Sequence, residues 1–347
     1  MFIRDSALGL SIVWGCCVFA GHPANTFAAS SPDDFYQGKQ IAVYVGYGPG
    51  GSYDTCARLL ARHMGDFIPG NPKFIVQNRP GAGSISLANQ IYATVPRDGT
   101  VIGTIGDILV IKQMLGEPGI AFVAAEFNWI GRLDLTDGIF VVRPDVGIAS
   151  IDDARKKQIT IGVPGAGSAT ALDLLVLNNL LGTKFKLISG YNSGTEVKLA
   201  LERGEVEGMG SVSWRIERNW VRKHNFRVLY QKTPDHTSDV PNAPLFTDLA
   251  RNDDERELLH FFHSQVDIAR SFLAPPGVPA DRVSLLRTAF VRMTKDPALL
   301  TEAKTLNLNL DILSGQELQK VVEDASNISD RLLKKAIEVS QPQPEGP

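Results

Sequence analysis

The sequence predicts an α/β protein of two lobes facing one anion-sized cleft. The first observation is the stretch Val45-Gly-Tyr-Gly-Pro-Gly-Gly-Ser-Tyr-Asp54, which joins an apolar strand-like run, Ile41 to Tyr47, to a helix-like run, Tyr53 to Met64. A strand that turns through glycines into a helix leaves the first helix N–H groups unpaired and aimed at one spot. The helix dipole favours an anion there, and glycine lets the backbone approach it closely. The second observation is that the device recurs: Ile159–Val163 leads through Pro164-Gly-Ala-Gly-Ser-Ala-Thr170 into a helix, Ala171 to Leu181. The third is that strand-like and helix-like runs alternate along the chain, the pattern of mostly parallel sheets.

The elements follow in order. Strands are expected at 41–47, 74–77, 101–105, 129–133, 139–142, 159–163, 185–188, 206–211 and 227–230. Pro80-Gly81 suits the centre of a type II turn leading into a helix, Ile85 to Ala93. Ser193-Gly-Thr-Glu196 is a capping box before Val197–Arg203, and Ser314-Gly-Gln-Glu317 opens a last long helix. In that helix Leu318, Val321, Val322, Ala325, Ile328, Leu332 and Leu333 recur at helical spacing, so one face packs. Hinges are expected at Asp134–Gly138 and in the extended, Pro-rich segment Ser271–Pro279. The chain is thereby divided into a leader, 1–29; lobe I, 30–134 plus 265–340; lobe II, 135–264; and a Pro-rich polar tail, 341–347, expected to be disordered.

The leader reads as a secretory signal peptide. Arg4 supplies the basic n-region, Ala7 to Ala20 the apolar h-region, and Thr26-Phe-Ala-Ala29 the small residues for cleavage after Ala28 or Ala29. A soluble exported protein is expected; the alternative is a lipoprotein, since Val13-Trp-Gly-Cys16 loosely matches a lipid-attachment box. Cys16 and Cys17 fall in the leader, so Cys56 stands alone in the mature chain and no intrachain disulfide can form. The formal net charge of −3 implies no broad basic face for nucleic acid.

The loops do not fit nucleotide chemistry. After Gly50-Gly51, Asp54 follows where a P-loop needs lysine, and a polyphosphate would be repelled. After Gly165-Ala-Gly167 there is no Asp or Glu between Asp173 and Glu196 to hold ribose hydroxyls. Ser168 and Thr170 fit better as hydroxyl donors gripping a carboxylate. No nucleophile elbow, zincin motif or metal-ligand spacing is present, so no catalysis, cofactor or metal is expected. Arg79 and Cys56 are read as structural, the one holding a turn, the other packed in a helix.

These residues carry a resemblance. Tyr36-Gln-Gly-Lys-Gln-Ile41 with Gly46–Asp54, the Asn78-Arg-Pro-Gly-Ala-Gly83 turn, Pro96–Thr100, Gly165–Thr170, Tyr191-Asn-Ser-Gly-Thr195, Gly204-Glu-Val-Glu207, Asp239-Val-Pro241 and Ala274–Pro279 appear in the order of the Bug (Bordetella uptake gene) family's landmarks. The chain thus resembles the substrate-binding receptors of tripartite tricarboxylate transporters from about Tyr36 to Ala336. The resemblance implies a monomeric periplasmic Venus-flytrap receptor of type II that closes on a small organic acid and delivers it to permease subunits. It implies ligand contacts at Tyr47, Gly50, Gly51, Ser52, Asp54, Gly81 and Ala82 in lobe I, and at Gly167, Ser168, Ala169, Thr170, Tyr191, Ser193, Gly194 and Trp214 in lobe II. Anchoring is expected from N–H groups of Gly50, Gly51 and Ser52 on one side and of Ser168, Ala169 and Thr170 on the other. Gly46 and Gly48 stand where the family has prolines, and Ala171 where it often has histidine. The alternatives are a sensory receptor of the same fold and an NAD-dependent enzyme using Gly165–Thr170.

Overall fold

Two sheets with one shared plan carry the chain. The structure is a computed structural model and describes residues 35–342, apart from positions 136, 166, 192, 238, 241, 242 and 309. The leader with its cleavage positions, Cys16, Cys17, Pro241 and residues 343–347 of the tail lie outside the described residues. Four strands come first: β1 (Gln40–Val45), β2 (Lys73–Asn78), β3 (Val101–Thr104) and β4 (Asn128–Arg132). Then come β5 (Gly138–Val142), β6 (Ile159–Gly162), β7 (Phe185–Ile188), β8 (Gly208–Ser213) and β9 (Arg227–Lys232). All nine expected strands form within two residues of their expected bounds. Two more, β10 (Ser271–Ala274) and β11 (Leu313–Ser314), complete the set among the described residues.

The first sheet is ordered β11-β4-β10-β3-β1-β2 and the second β7-β6-β8-β5-β9. In each, a central strand runs parallel to two neighbours: β1 to β2 and β3, and β6 to β7 and β8. Each sheet also holds one reversed strand between parallel ones, and the two-residue β11 is a second reversed strand at the edge of the first sheet, antiparallel to β4. β10 lies antiparallel between β3 and β4, and β5 antiparallel between β8 and β9. The sheets are therefore mixed, with most strands pointing one way. Strands β5 and β10 are where the chain enters the second sheet and where it returns to the first, so the passage between lobes sets their direction. β10 begins the segment that its prolines mark only as extended. Strands β3 and β5 are buried at every position, as expected of central strands covered on both faces.

The last long helix is two helices. Ser314 caps the first, Gly315–Ser326, with the full capping box: its Oγ accepts from Glu317 N, and the Glu317 carboxylate accepts from Ser314 N. The chain then breaks, and Ser329 caps Asp330–Ser340 by accepting from Leu332 N. The apolar period runs on through the break because both helices bury a face, but on different partners. Gly315–Ser326 packs on β4, whereas Asp330–Ser340 packs on the second-lobe helices Ala169–Leu181 and Asp253–His263. Asn179 Nδ2 donates to Val339 O at 2.8 Å, and Lys335 Nζ meets Asp254 at 2.5 Å. This final helix differs from the expected lobe boundary, which assigns everything to residue 340 to lobe I.

The two crossings are tied by buried charge. Arg215 reaches Asp134 at 3.1 Å and Asp137 at 3.0 Å, and Arg270 on the returning crossing donates to Leu135 O. Burial pushes the Asp134 carboxyl up to about 6 against the pull of Arg270 and Arg215.

Candidate ligand cleft

The first glycine loop is held by an acid at its back. Gly51 is the N-cap of helix Ser52–His63, with extended backbone (φ −82°, ψ 172°) and no side chain to satisfy the first N–H groups. Asp54, buried in the first turn, accepts from Gly50 N, Arg58 Nε and Asn78 Nδ2, each at 2.9 Å. Asn78 Nδ2 also donates to Tyr47 O at 2.9 Å. Burial alone would raise the Asp54 carboxyl, but these three donors outweigh it and hold it below the usual range. Asp54 thus sits on the scaffold side of the loop, and the Gly50 N–H expected to face the ligand is turned inward onto it. Arg79 likewise serves the turn: it donates to Gln77 at 2.9 Å and lies 3.5 Å from the centre of the Tyr44 ring.

Tyr47 and Tyr53 pack together beside the loop with ring centres 4.7 Å apart and planes tilted by 35°. Tyr53 Oη accepts from Asp107 N at 3.1 Å. Burial, with Asp107 nearby, raises both phenols, so they are neutral hydrogen-bonding groups near pH 7.

The turn after β2 is not the expected type II. Gly81 is extended (φ 160°), and Ala82, Gly83 and Ser84 follow with φ of 47°, 63° and 80°. Three successive left-handed residues tuck Ser84 under the first loop, where a Cβ on Gly46 would come 1.8 Å from Ser84 Oγ. Glycine at 46 is therefore a close-approach residue. The same turn presents Gly83 to the other lobe: a Cβ there would come 3.0 Å from Gly167 O. The lobes touch at these two glycine loops.

On the second lobe, Ser168 caps helix Ala169–Leu181, its Oγ accepting from Ala171 N at 3.3 Å. Its own N–H donates to Gly165 O at 3.2 Å, so it too is committed to the loop. Thr170 Oγ1 lies 2.9 Å from Ser211 Oγ. Tyr191 lies by the end of β6, where a Cβ on Gly162 would come 3.5 Å from its ring. Ser193 caps helix Gly194–Arg203 by accepting from Glu196 N at 3.3 Å. Trp214 is packed into the second-lobe core, its indole N–H donating to Asp239 at 2.5 Å, with Arg222 over the ring. Of the expected contact residues, Ala82 and Gly167 are brought together, a Cβ on Gly167 coming 3.6 Å from Ala82 O, while Asp54, Ser193 and Trp214 have structural bonds of their own.

Sequence reasoning missed a polar cavity under the second loop, lined by Thr170, Asp173, Ser211, Tyr230 and Lys232 with Gly138, Ile139 and Gly210. Its one local signal is a lone acid, Asp173, inside the apolar run Ala169–Leu181. Among the described residues no cluster suits a metal ion, and no helix is long and apolar enough to cross a membrane.

Cys56 is fully buried, and burial pushes its thiol up to about 12. Cys56→Ala is expected to keep ligand affinity and lose about 1 kcal/mol of stability through a small cavity. Alkylation of the folded protein should be slow, since the thiolate is the nucleophile; fast labelling that abolishes ligand binding contradicts a packing role.

Comparison with known proteins agrees with this architecture. BugT of Bordetella pertussis is 26% identical over 236 residues, covering 64% of this chain and 69% of BugT. The structure of the periplasmic binding protein BugD superposes with a TM-score of 0.67 at 18% identity, over 88% of this chain and 98% of BugD. MatC from Rhodopseudomonas palustris with bound malate gives a TM-score of 0.64 at 17% identity, over 87% of this chain and 99% of MatC. At such identities the superpositions carry the fold alone. The family model of the tripartite tricarboxylate transporter family receptor (TctC) matches residues 57–337, and the chain belongs to that family.

Proposed function

We propose that this protein is a periplasmic solute-binding receptor that captures a small organic carboxylate between its lobes and delivers it to a tripartite transporter's permease, without catalysing a reaction. The observation that carries this reading is the contact of Gly83, in the turn packed against Gly46 at the start of the first glycine loop, with Gly167, in the loop that opens helix Ala169–Leu181. The bound malate of MatC supports the ligand class. Because Gly50 N and Ser168 N donate within their loops, anchoring falls to the N–H groups of Gly51 and Ser52 and of Ala169 and Thr170. Tyr47, Gly81, Ala82, Gly167, Tyr191 and Gly194 form the walls; Asp54, Ser193 and Trp214 hold them in place.

Each helix N-terminus contributes about 0.3–2 kcal/mol to holding an anion. Micromolar affinity needs roughly 8 kcal/mol, so closure must bury most of the ligand and add direct hydrogen bonds. The test is a thermal-shift screen of mono-, di- and tricarboxylates and aromatic acids. A ligand at about 100 times its Kd should stabilise the protein by roughly 2.7 kcal/mol. No shift with any carboxylate refutes the reading. Ser168 Oγ accepts the cap bond and leaves its hydroxyl hydrogen to donate to the carboxylate, so Ser168→Ala should weaken binding about tenfold and cost about 1 kcal/mol of stability from the lost cap. Unchanged affinity and stability would exclude Ser168 from both roles.

A further inference from the structure

The cavity under the second loop has an ion pair for a floor. Lys232 Nζ donates to Asp173 Oδ1 at 2.5 Å, and both side chains are over 90% buried. Gln265, from the returning hinge crossing, places Nε2 3.5 Å from the same oxygen. Its Oε1 is buried with no hydrogen-bond partner among the described residues. Above the pair stand the hydroxyls of Thr170 and Ser211. Ser211 adopts a left-handed backbone (φ 56°) within β8, uncommon for serine and a sign that its position is held by its surroundings.

Thr170 joins this cavity to the anchoring N-terminus, since it belongs to the first turn of helix Ala169–Leu181 and its side chain lines the cavity. A carboxylate held at the N-terminus would therefore send the rest of its chain toward an adjacent ammonium and carboxylate. A second carboxylate would meet Asp173, with Asp107 of the first lobe close enough to press the Asp173 carboxyl further up. A ligand ammonium would meet Lys232. A hydroxyl is both donor and acceptor, so it can accept from Lys232 and donate to Asp173 with no like-charge contact. A site built to hydrogen-bond a hydroxyl discriminates strongly, because a mismatched ligand leaves its buried groups unpaired.

We propose that Asp173 and Lys232, with Thr170 and Ser211, form a specificity subsite that selects carboxylates bearing a distal hydroxyl over dicarboxylates and amino acids of the same length. This rests on the carboxylate reading of the cleft and deepens it.

The experiment is titration calorimetry of the mature protein with three series of three to six carbons: ω-hydroxy monocarboxylates, dicarboxylates and ω-amino acids. In wild type the hydroxy acid of the best length should bind at least tenfold tighter than its two counterparts. Asp173→Asn leaves the lysine uncompensated and should shift the ratio at least tenfold toward the dicarboxylate. Lys232→Gln leaves the aspartate uncompensated and should shift it toward the amino acid. Circular dichroism melting establishes which variants fold; should one fail, the other carries the swap, and the wild-type ratio decides alone if both fail. A wild type preferring dicarboxylates or amino acids, or folded variants with unchanged ratios, overturns the subsite. If the broad screen finds a carboxylate ligand while this panel shows no hydroxyl preference, the subsite falls and the receptor reading stands. If no carboxylate binds in either, both fall.

Discussion

Gly51→Val is expected to lower carboxylate affinity at least 100-fold while the protein stays folded. The backbone at Gly51 (φ −82°, ψ 172°) lies in the β region, which valine favours. A Cβ at this position has no heavy atom within 4 Å, so the side chain has room. The N-cap already lacks a capping side chain, and the change should cost at most about 1 kcal/mol of stability. The isopropyl group would instead stand over the N–H groups of Gly51 and Ser52 and keep an anion out. A loss of 100-fold corresponds to about 2.7 kcal/mol. Calorimetry with the ligand found by the broad screen measures it, with circular dichroism as the folding control. If Gly51→Val binds that ligand as tightly as wild type, the first loop is only a turn.

Asp54→Ala is expected to be among the most damaging single changes in the loops, costing about 3 kcal/mol. It takes away the acceptor shared by the Gly50 N–H and Asn78 Nδ2 and leaves the Asn78 bond to Tyr47 O as the remaining tie between the first glycine loop and the Asn78 turn. Arg58 is half-exposed and turns to water, so Arg58→Ala should cost well under 1 kcal/mol. The contribution has a defined pH signature. The folded carboxyl is held below its unfolded value of about 4, so its stabilisation is complete above that pH. It is lost as pH falls through the folded value. Denaturant unfolding from pH 3 to 7 should show wild type and Asp54→Ala converging at the acid end and separated near neutrality. Equal stability of the two proteins near neutrality would contradict the assignment. Ligand affinity should fall as well, because the loop bearing Gly51 loses one of its tethers.

Local order along the chain determined much of this protein. The strand–glycine–helix repeats, the capping box at Ser314 and the N-cap at Ser193 are written in neighbouring residues, since capping bonds span three or four positions. Apolar runs marked nine strands because burial in a sheet core demands them. Tertiary structure alone decided the rest. The direction of β5 and β10 depends on the path between lobes, not on side-chain period. The break at residues 327–329 follows from Gly315–Ser326 and Asp330–Ser340 packing on different lobes, while one continuous apolar period suits either outcome. That the Gly50 and Ser168 N–H groups are spent inside their own loops follows from Asp54 accepting from Gly50 and Gly165 accepting from Ser168. The bond from Asn78 to Asp54 spans 24 positions, and the contact of Lys232 with Asp173 spans 59. Hydrogen bonds and ion pairs between distant residues leave no periodic trace in a sequence, so the loops were legible there and their chemistry was not.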